Sequence, residues 1–593
     1  MSARVLATPH GVSLAFRARV SSSASHSRAP LALVDVGATA VRRVPAFPQR
    51  RAPTPLLEGA LSTPRRASAR LGRRLAPARA ASSATGHPPS SDVDAVDPNL
   101  RALVLVVCLS MLAFGAATGA IAGALLFLER GTSLGHLTVA AKSAVVAATP
   151  LGALVGAATL APRVASVRGR RFALLLADGL YLAAALAMAT ALTHQQLTFG
   201  RALAGVAVGV STSLSALYIS ECAPARVRGR LSSLAPLAGT SGILLSYLAS
   251  LALRDVPGGW RLMLALCAVP AAAQLALGRY LVESPRWLAE RGRTTDARRA
   301  LVALGQPDAD PSTFVRTSDA ATTSDVASSD WRVIWRPKYR RATTAAVGLN
   351  LLQQLCGINV VVYFAPAILS DAGFDRSASI ALTAGVGALQ IACGARLSAV
   401  IDRVGRRPAA LWGIVGLGAG LACLAAGATA AGAGATGAAG ATGAAGATGA
   451  AGAAGAAAAS ASASASAVAA KWIAVVGILI YRLSFSCSLG PVPYVVAAEV
   501  FPNEVRASGA AAATAAQWGA NAIVTGSFLS LIGALGPTRT WCAYLAVCVA
   551  AWFAVRAVLP ETKGRSLESM GEEEERDDRG REVDDSSHVG ERG

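Results

Sequence analysis

The chain has 593 residues, 53% of them hydrophobic and only 15% charged, with a mean hydropathy of +0.47, whereas an ordinary soluble domain carries about 25% charged residues. That composition excludes a water-soluble globule. The formal charge of +21 invites a nucleic-acid reading, but residues 1–90 hold 14 arginines against two acids, Asp35 and Glu58, so this segment alone carries +12 and the other 503 residues +9.

Residues 1–90 are rich in Ser, Ala, Pro and Arg, as in SSSASHSRAP and TPRRASARLGRRLAPARAASSA, and lack an apolar run long enough for a signal-peptide core. This is the composition of a disordered transit peptide, for plastid or mitochondrion. The alternative is a disordered cytosolic tail without an address.

A bilayer core of roughly 30 Å takes about 20 apolar residues in helix. Twelve segments predict such spans: 102–128, 139–161, 172–193, 198–221, 232–253, 261–282, 343–369, 377–400, 408–428, 471–498, 508–534 and 538–559. Numbered 1 to 12, their even-to-odd loops carry Arg163, Arg168, Arg170 and Arg171, then Arg226, Arg228 and Arg230, then Arg403, Arg406 and Arg407, then Arg506. The odd-to-even loops offer only Arg130, Arg254, Arg376, Lys471 and Arg539. The positive-inside rule therefore puts both termini and the loop 283–341 on the cis side, cytosolic or stromal. Many spans are built on Ala and Gly, which lets helices approach closely. The nine cysteines form no CxxC pair, so buried apolar thiols are expected rather than a disulfide framework or a metal site.

The two halves repeat. E-x-x-P-x-x-x-R occurs at Glu221, Pro224 and Arg228 and again at Glu499, Pro502 and Arg506, 278 positions on; Glu283 and Glu561 are also 278 apart. Gly169 of VRGRR and Gly405 of DRVGRR are offset by only 236, so the second half has 42 extra residues between its third and fourth spans. That insert is visible as 428–469, a tract of Ala, Gly, Thr and Ser with one valine, expected to form a flexible trans-side loop. The organisation predicted is a six-helix bundle over 100–282, a cis-side linker over 283–341, a second bundle over 342–560 and a cis-side tail over 561–593. Such parallel repeats bind substrate at mid-membrane between the halves.

Amides inside apolar spans are expensive unless paired or facing a wet cavity. Gln353, Gln354 and Asn359 lie in span 7, where ideal helical angles do not put them on one face, but Gly357 can break the helix and let them converge. In span 11, Gln517 and Asn521 are four apart and share a face, and Trp518 offers an apolar plate. The competing role for such amides is glue between helices.

Six motifs in order, ISECAPARVRG, ESPRWL, LLQQLCGIN followed by VVVYFAP, DRVGRR, GPVPYVVAAEVFP and PETKGRSLE, together resemble the sugar porter family of the major facilitator superfamily over residues 100–570. The closing PETKGRSLE, the phrase LSFSCSLGPVP and the transit-like leader look most like the plastidic glucose transporters; WGANAIVTGSF is closer to the vacuolar ones. The resemblance implies an all-α membrane protein with the major facilitator fold, 12 transmembrane helices in two six-helix halves. It places Gln353, Gln354, Asn359, Gln517 and Trp518 among the sugar ligands. Asn521 and Tyr363 join them, as do Tyr494, which replaces a tryptophan common in helix 10, and Gln390, near a usual helix 8 asparagine. The cis charges Glu221, Arg228, Glu499, Arg506, Arg170, Asp402 and Arg406 are implied to pair and hold the cis gate shut. Ser166 replaces an aspartate of that motif, which is expected to weaken the first-half gate.

Two further departures matter. Pro236 takes the place of a sugar-binding helix 5 glutamine and is expected to kink that helix. Where proton-coupled symporters carry an acid in helix 1, this chain has Ala117, while the usual partner survives as Arg201; acids of helices 1 to 5 fall near span ends, at Glu129, Asp178 and Glu221. The expectation is facilitative transport of hexose, first of all glucose, across a plastid inner envelope by a monomer. Its partners are the sugar and the bilayer, with no nucleic acid, no enzymatic reaction, no cofactor and no metal. The alternatives are a proton-coupled hexose symporter of the vacuolar or plasma membrane and a transporter-like sugar sensor.

Overall fold

The computed structural model describes residues 96–128, 134–135, 137–314, 331–444, 450–501, 505–559 and 561. The expectations for the leader, for Glu129 and for the tail after 561 lie outside these residues, as do the side chains of Asp402 and Arg506. Every regular element among the described residues is helical. Ten helices are long and apolar enough to cross a membrane, and the pair Gly259–Ala265 and Ala268–Ala276, bent by 42°, makes an eleventh span. One of the ten, Ser508–Val558, has 51 residues, roughly 75 Å of helix against a core of roughly 30 Å. Gly536, at φ 75° and ψ 165°, divides it in two. Twelve crossings result.

In chain order, helix 1 is Pro98–Phe127, helix 2 Val139–Arg168, helix 3 Arg170–Ala189, helix 4 His194–Cys222 and helix 5 Ala225–Ala252, and helix 6 is the bent pair. Helix 7 comprises Arg340–Leu355 and Ile358–Asp371, helix 8 is Arg376–Val404 and helix 9 Arg406–Ala444. Helix 10 is Ala450–Ser486, continued by Val492–Glu499, and helices 11 and 12 are the arms of Arg506–Val558 on either side of Gly536. Side-chain caps fix several starts: Asp97 accepts from Asn99 N at 2.8 Å, Thr138 from Ala141 N and Thr193 from Gln196 N at 3.2 Å each.

Small residues bring the helices together. A Cβ at Gly152 or Gly156 of helix 2 would stand 2.0 or 2.2 Å from a helix 4 carbonyl, and one at Gly205 of helix 4 would meet Thr149 O of helix 2 at 2.1 Å. Gly115 of helix 1 meets Gly239 O of helix 5 in the same way. This is the close backbone contact that packing in lipid favours. Outside, Leu105, Leu186, Phe199, Trp412, Ile523 and Phe553 are each more than 60% exposed, giving the apolar exterior a bilayer requires. The halves meet where helix 1 packs on helix 7, helix 2 on helix 11 and helix 5 on helix 8.

Two expectations need correction. The tract 428–469 does not leave the helices as a loop: helix 9 continues through it to Ala444 and helix 10 begins at Ala450. Alanine has the highest helix propensity of all residues, and here it outweighs the glycines. Asp178 is not near a span end either, being the ninth residue of the 20-residue helix 3 and fully buried.

Candidate functional site

Helix 7 breaks at Gly357, whose φ of 92° separates Leu355 from Ile358. A side chain is unwelcome there, since a Cβ would press on the Tyr544 ring at 3.1 Å. The Cys356 carbonyl at the break accepts from Tyr481 of helix 10 at 2.9 Å, replacing an intrahelical bond that lipid would not replace. The break brings the three amides into one relay. Asn359 Nδ2 donates to Gln354 Oε1 at 2.5 Å, Gln354 Nε2 to Gln353 Oε1 at 2.9 Å, and Gln353 Nε2 to Leu489 O at 2.6 Å. Leu489 lies in the interruption of helix 10 before Pro491, where its carbonyl is available.

Gln353 and Gln354 are buried, and Asn359, half-buried, ends the relay with its own oxygen unused by it. On helix 11, Gln517 Nε2 donates to the Tyr494 hydroxyl at 2.6 Å. The amide oxygens of Gln517 and Asn521 are buried with no hydrogen-bond partner, and Tyr363 of helix 7 is buried as well. Tyr494 is 54% exposed although it holds this internal bond, the behaviour of a side chain on the wall of an open cavity. Trp518 meets Phe114 of helix 1 edge-on, with centroids 6.4 Å apart. Orphaned amide oxygens accept from hydroxyls, so this arrangement can hold a polyhydroxylated ligand.

Gln390 is not a member of the helix 7 relay and accepts from Arg482 Nε at 2.7 Å. Sequence reasoning passed over Arg482, although an arginine within the apolar run WIAVVGILIYRLSFS is a signal in itself. It passed over the depth of Asp178 too, whose carboxylate oxygens are both buried without a partner. Pro236 lies inside helix 5, whose regular hydrogen bonding is interrupted at Ser233, beside the Ser232 carbonyl that the missing N–H of Pro236 leaves without its intrahelical donor. Arg201 is buried, and its Nη1 donates to Ala117 O at 2.7 Å.

At the cis ends, Arg170 Nε and Nη2 donate to the two oxygens of Glu221 at 3.0 Å each, and Arg406 Nη2 donates to Glu499 Oε1 at 3.1 Å. The side chains are 14% and 4% exposed in the first pair and 16% and 30% in the second, so the first-half pair is the more enclosed. Ser166 contributes its carbonyl, which accepts from Trp287 Nε1 at 2.9 Å. Arg228 is exposed, and its side chain makes no hydrogen bond or ion pair among the described residues.

Residues 103–573 match the family described as "Sugar (and other) transporter". A D-xylose transporter of Levilactobacillus brevis is 32% identical over 77% of this chain and 92% of its own length. Plastidic glucose transporter 4 of Arabidopsis thaliana is 30% identical over 78% of each chain, and probable inositol transporter 2 of the same plant 30% identical over 80% of this chain and 91% of its own. A partially occluded, inward-open structure of the xylose transporter XylE from E. coli superimposes with a TM-score of 0.61 at 26% identity, covering 79% of this chain and all of that one. The twelve helices therefore form a major facilitator fold, and the chain belongs to the sugar transporter family of that superfamily.

Proposed function

We propose that the chain carries hexose, first of all glucose, down its gradient by alternating access, with the sugar held between the halves 100–282 and 342–560. The observation carrying this reading is the pair of orphaned amide oxygens on Gln517 and Asn521 beside the Gln353, Gln354 and Asn359 relay. These groups accept from and donate to sugar hydroxyls, Trp518 and Tyr363 complete the wall, and the cis ion pairs close the cavity on one side. The absence of an acid at Ala117 favours downhill movement. Uptake of labelled glucose, galactose, xylose and myo-inositol into liposomes containing the purified chain tests the reading; failure to take up either hexose above protein-free liposomes removes it.

The leader composition and the likeness to a plastidic relative favour the plastid envelope, with residues 1–90 removed as a transit peptide. A fluorescent protein fused after residue 100 is expected to mark plastids in an algal or plant cell, and vacuolar or plasma-membrane labelling overturns this address. A second reading, proton-coupled symport, is favoured by one observation, the unpartnered Asp178 carboxyl at mid-helix.

A further inference from the structure

Arg482 is 3% exposed and lies at the seam between the halves. Its Nε donates to Gln390 of helix 8, and its charge lies near enough to the Tyr247 hydroxyl of helix 5 for the two to interact electrostatically. Tyr247 in turn donates to Val362 O of helix 7 at 2.9 Å. Helix 5 belongs to the first half and helices 7, 8 and 10 to the second, so the cation and its neighbours sit where the halves meet. A guanidinium has five N–H donors, of which Gln390 takes one.

A second cation lies on the other side of the seam. Arg201 is 1% exposed and donates to Ala117 O and Val145 O, but its Nη2 is buried with no partner. No carboxylate pairs with either arginine among the described residues. Glu221 and Glu499 are engaged at the cis ends by Arg170 and Arg406, and Asp178 makes no ion pair.

Burying a cation in a low-dielectric interior is unfavourable unless an anion accompanies it. Among the described residues the protein supplies none at this seam. We infer that the anion arrives with the substrate: the central site takes a hexose bearing a carboxylate or a phosphate, with Arg482 on the anionic group and the amides of helices 7 and 11 on the hydroxyls. The planar fork of an arginine matches either anion in a two-bonded fashion that a lysine does not reproduce. This rests on the reading that the central site binds a hexose ring.

The test uses the full chain in liposomes, with the membrane potential clamped, and compares uptake of labelled D-glucose, D-glucuronate and glucose 6-phosphate. Glucuronamide, the neutral amide of the uronate, serves as a competitor of nearly the same shape. One of the two anions is expected to enter at least about tenfold faster than glucose and to resist competition by glucuronamide, a preference of the size one charge-assisted pair supplies. Which anion enters identifies the group. Arg482→Gln is expected to lower the ratio of anion to glucose uptake about tenfold and Arg482→Lys to retain part of it. Wild-type protein that moves glucose as fast as, or faster than, both anions overturns the inference and leaves the hexose reading standing. Uptake of xylose or myo-inositol with no hexose, charged or neutral, overturns both.

Discussion

Arg170 holds Glu221 in a two-pronged grip, Nε on one carboxylate oxygen and Nη2 on the other, while its own backbone N–H donates to Glu283 at 2.8 Å. The second half repeats the device: Arg406 reaches Glu499, and its backbone N–H donates to Glu561 at 3.0 Å. Even the next arginine follows, Arg171 donating to Gly278 O and Arg407 to Arg556 O, acceptors again 278 positions apart. The two clamps tie helix 3 to helix 4 and helix 9 to helix 10 at the cis face. Glu221→Gln removes the charge from the more enclosed clamp and is expected to cost about 1–3 kcal/mol of the closed cis gate, and Glu499→Gln, more exposed, about 1 kcal/mol or less. The rate at which a cysteine placed in the cis vestibule is labelled checks the order, and a larger effect of Glu499→Gln than of Glu221→Gln contradicts it.

The same clamps explain two glycines. Gly169 and Gly405 sit at φ 93° and 108°, and a Cβ on either would stand 2.2 or 2.6 Å from the Glu283 or Glu561 carboxylate. Alanine at either position meets both a backbone penalty and a displaced glutamate, so Gly169→Ala is expected to lower stability by about 1–3 kcal/mol. Thermal unfolding of the purified protein measures this, and an unchanged midpoint contradicts it.

Within the sugar site, Gln354→Ala breaks the relay on both sides, and Asn359→Ala removes its end. Each is expected to cost about 1–3 kcal/mol of sugar affinity, the usual penalty for an unsatisfied buried polar group. Substrate competition against a labelled sugar gives the affinities. Transport near that of wild type in both variants, at normal expression, would remove helix 7 from the site.

Much of this was legible beforehand because lipid imposes a long apolar period and the duplication leaves a constant offset. The helix 7 break followed from Gly357, since the three amides share a face only if the helix is interrupted. Other features resist such reading. The clamp geometry depends on Glu283 and Glu561, far in sequence from the arginines they hold, and only the fold brings them together. Asp178 sits at mid-depth because helix 3 begins at Arg170 rather than 172 and ends at Ala189 rather than 193. The insert carries opposed signals, its low complexity arguing for a loop and its alanines for helix.

That insert leads to a further prediction. Helix 9 from 406 to 427 and helix 10 from 470 onward are each long enough to span roughly 30 Å without it, and helix 4 of the first half has no equivalent extension. Deleting 428–469 and joining the ends with a short Gly-Ser linker is expected to leave sugar uptake within about twofold of wild type, since both helices keep enough residues to cross the bilayer core. Loss of folded protein on size-exclusion chromatography would show that the tract packs against something essential.

The last prediction concerns energy coupling. A proton symporter needs a group in the spans that changes charge during its cycle. Ala117 does not titrate, and Arg201, instead of pairing with an acid there, donates to the Ala117 carbonyl. Among the described residues of helices 1 to 5, the acid at mid-depth is Asp178 on helix 3, which packs against helices 4 and 6. Those contacts keep Asp178 within the first bundle, whereas the amide relay and Tyr494 belong to helices 7, 10 and 11. Transport is therefore expected to run downhill in either direction and to ignore a protonophore. Asp178→Asn, neutral and of the same shape, is expected to leave uptake within about twofold of wild type, because no protein group depends on its charge. The measurement is the pH outside lightly buffered liposomes after adding the transported sugar, with the potential clamped. Sustained alkalinisation that tracks uptake refutes facilitated movement, and its disappearance in Asp178→Asn would make that carboxyl the coupling site.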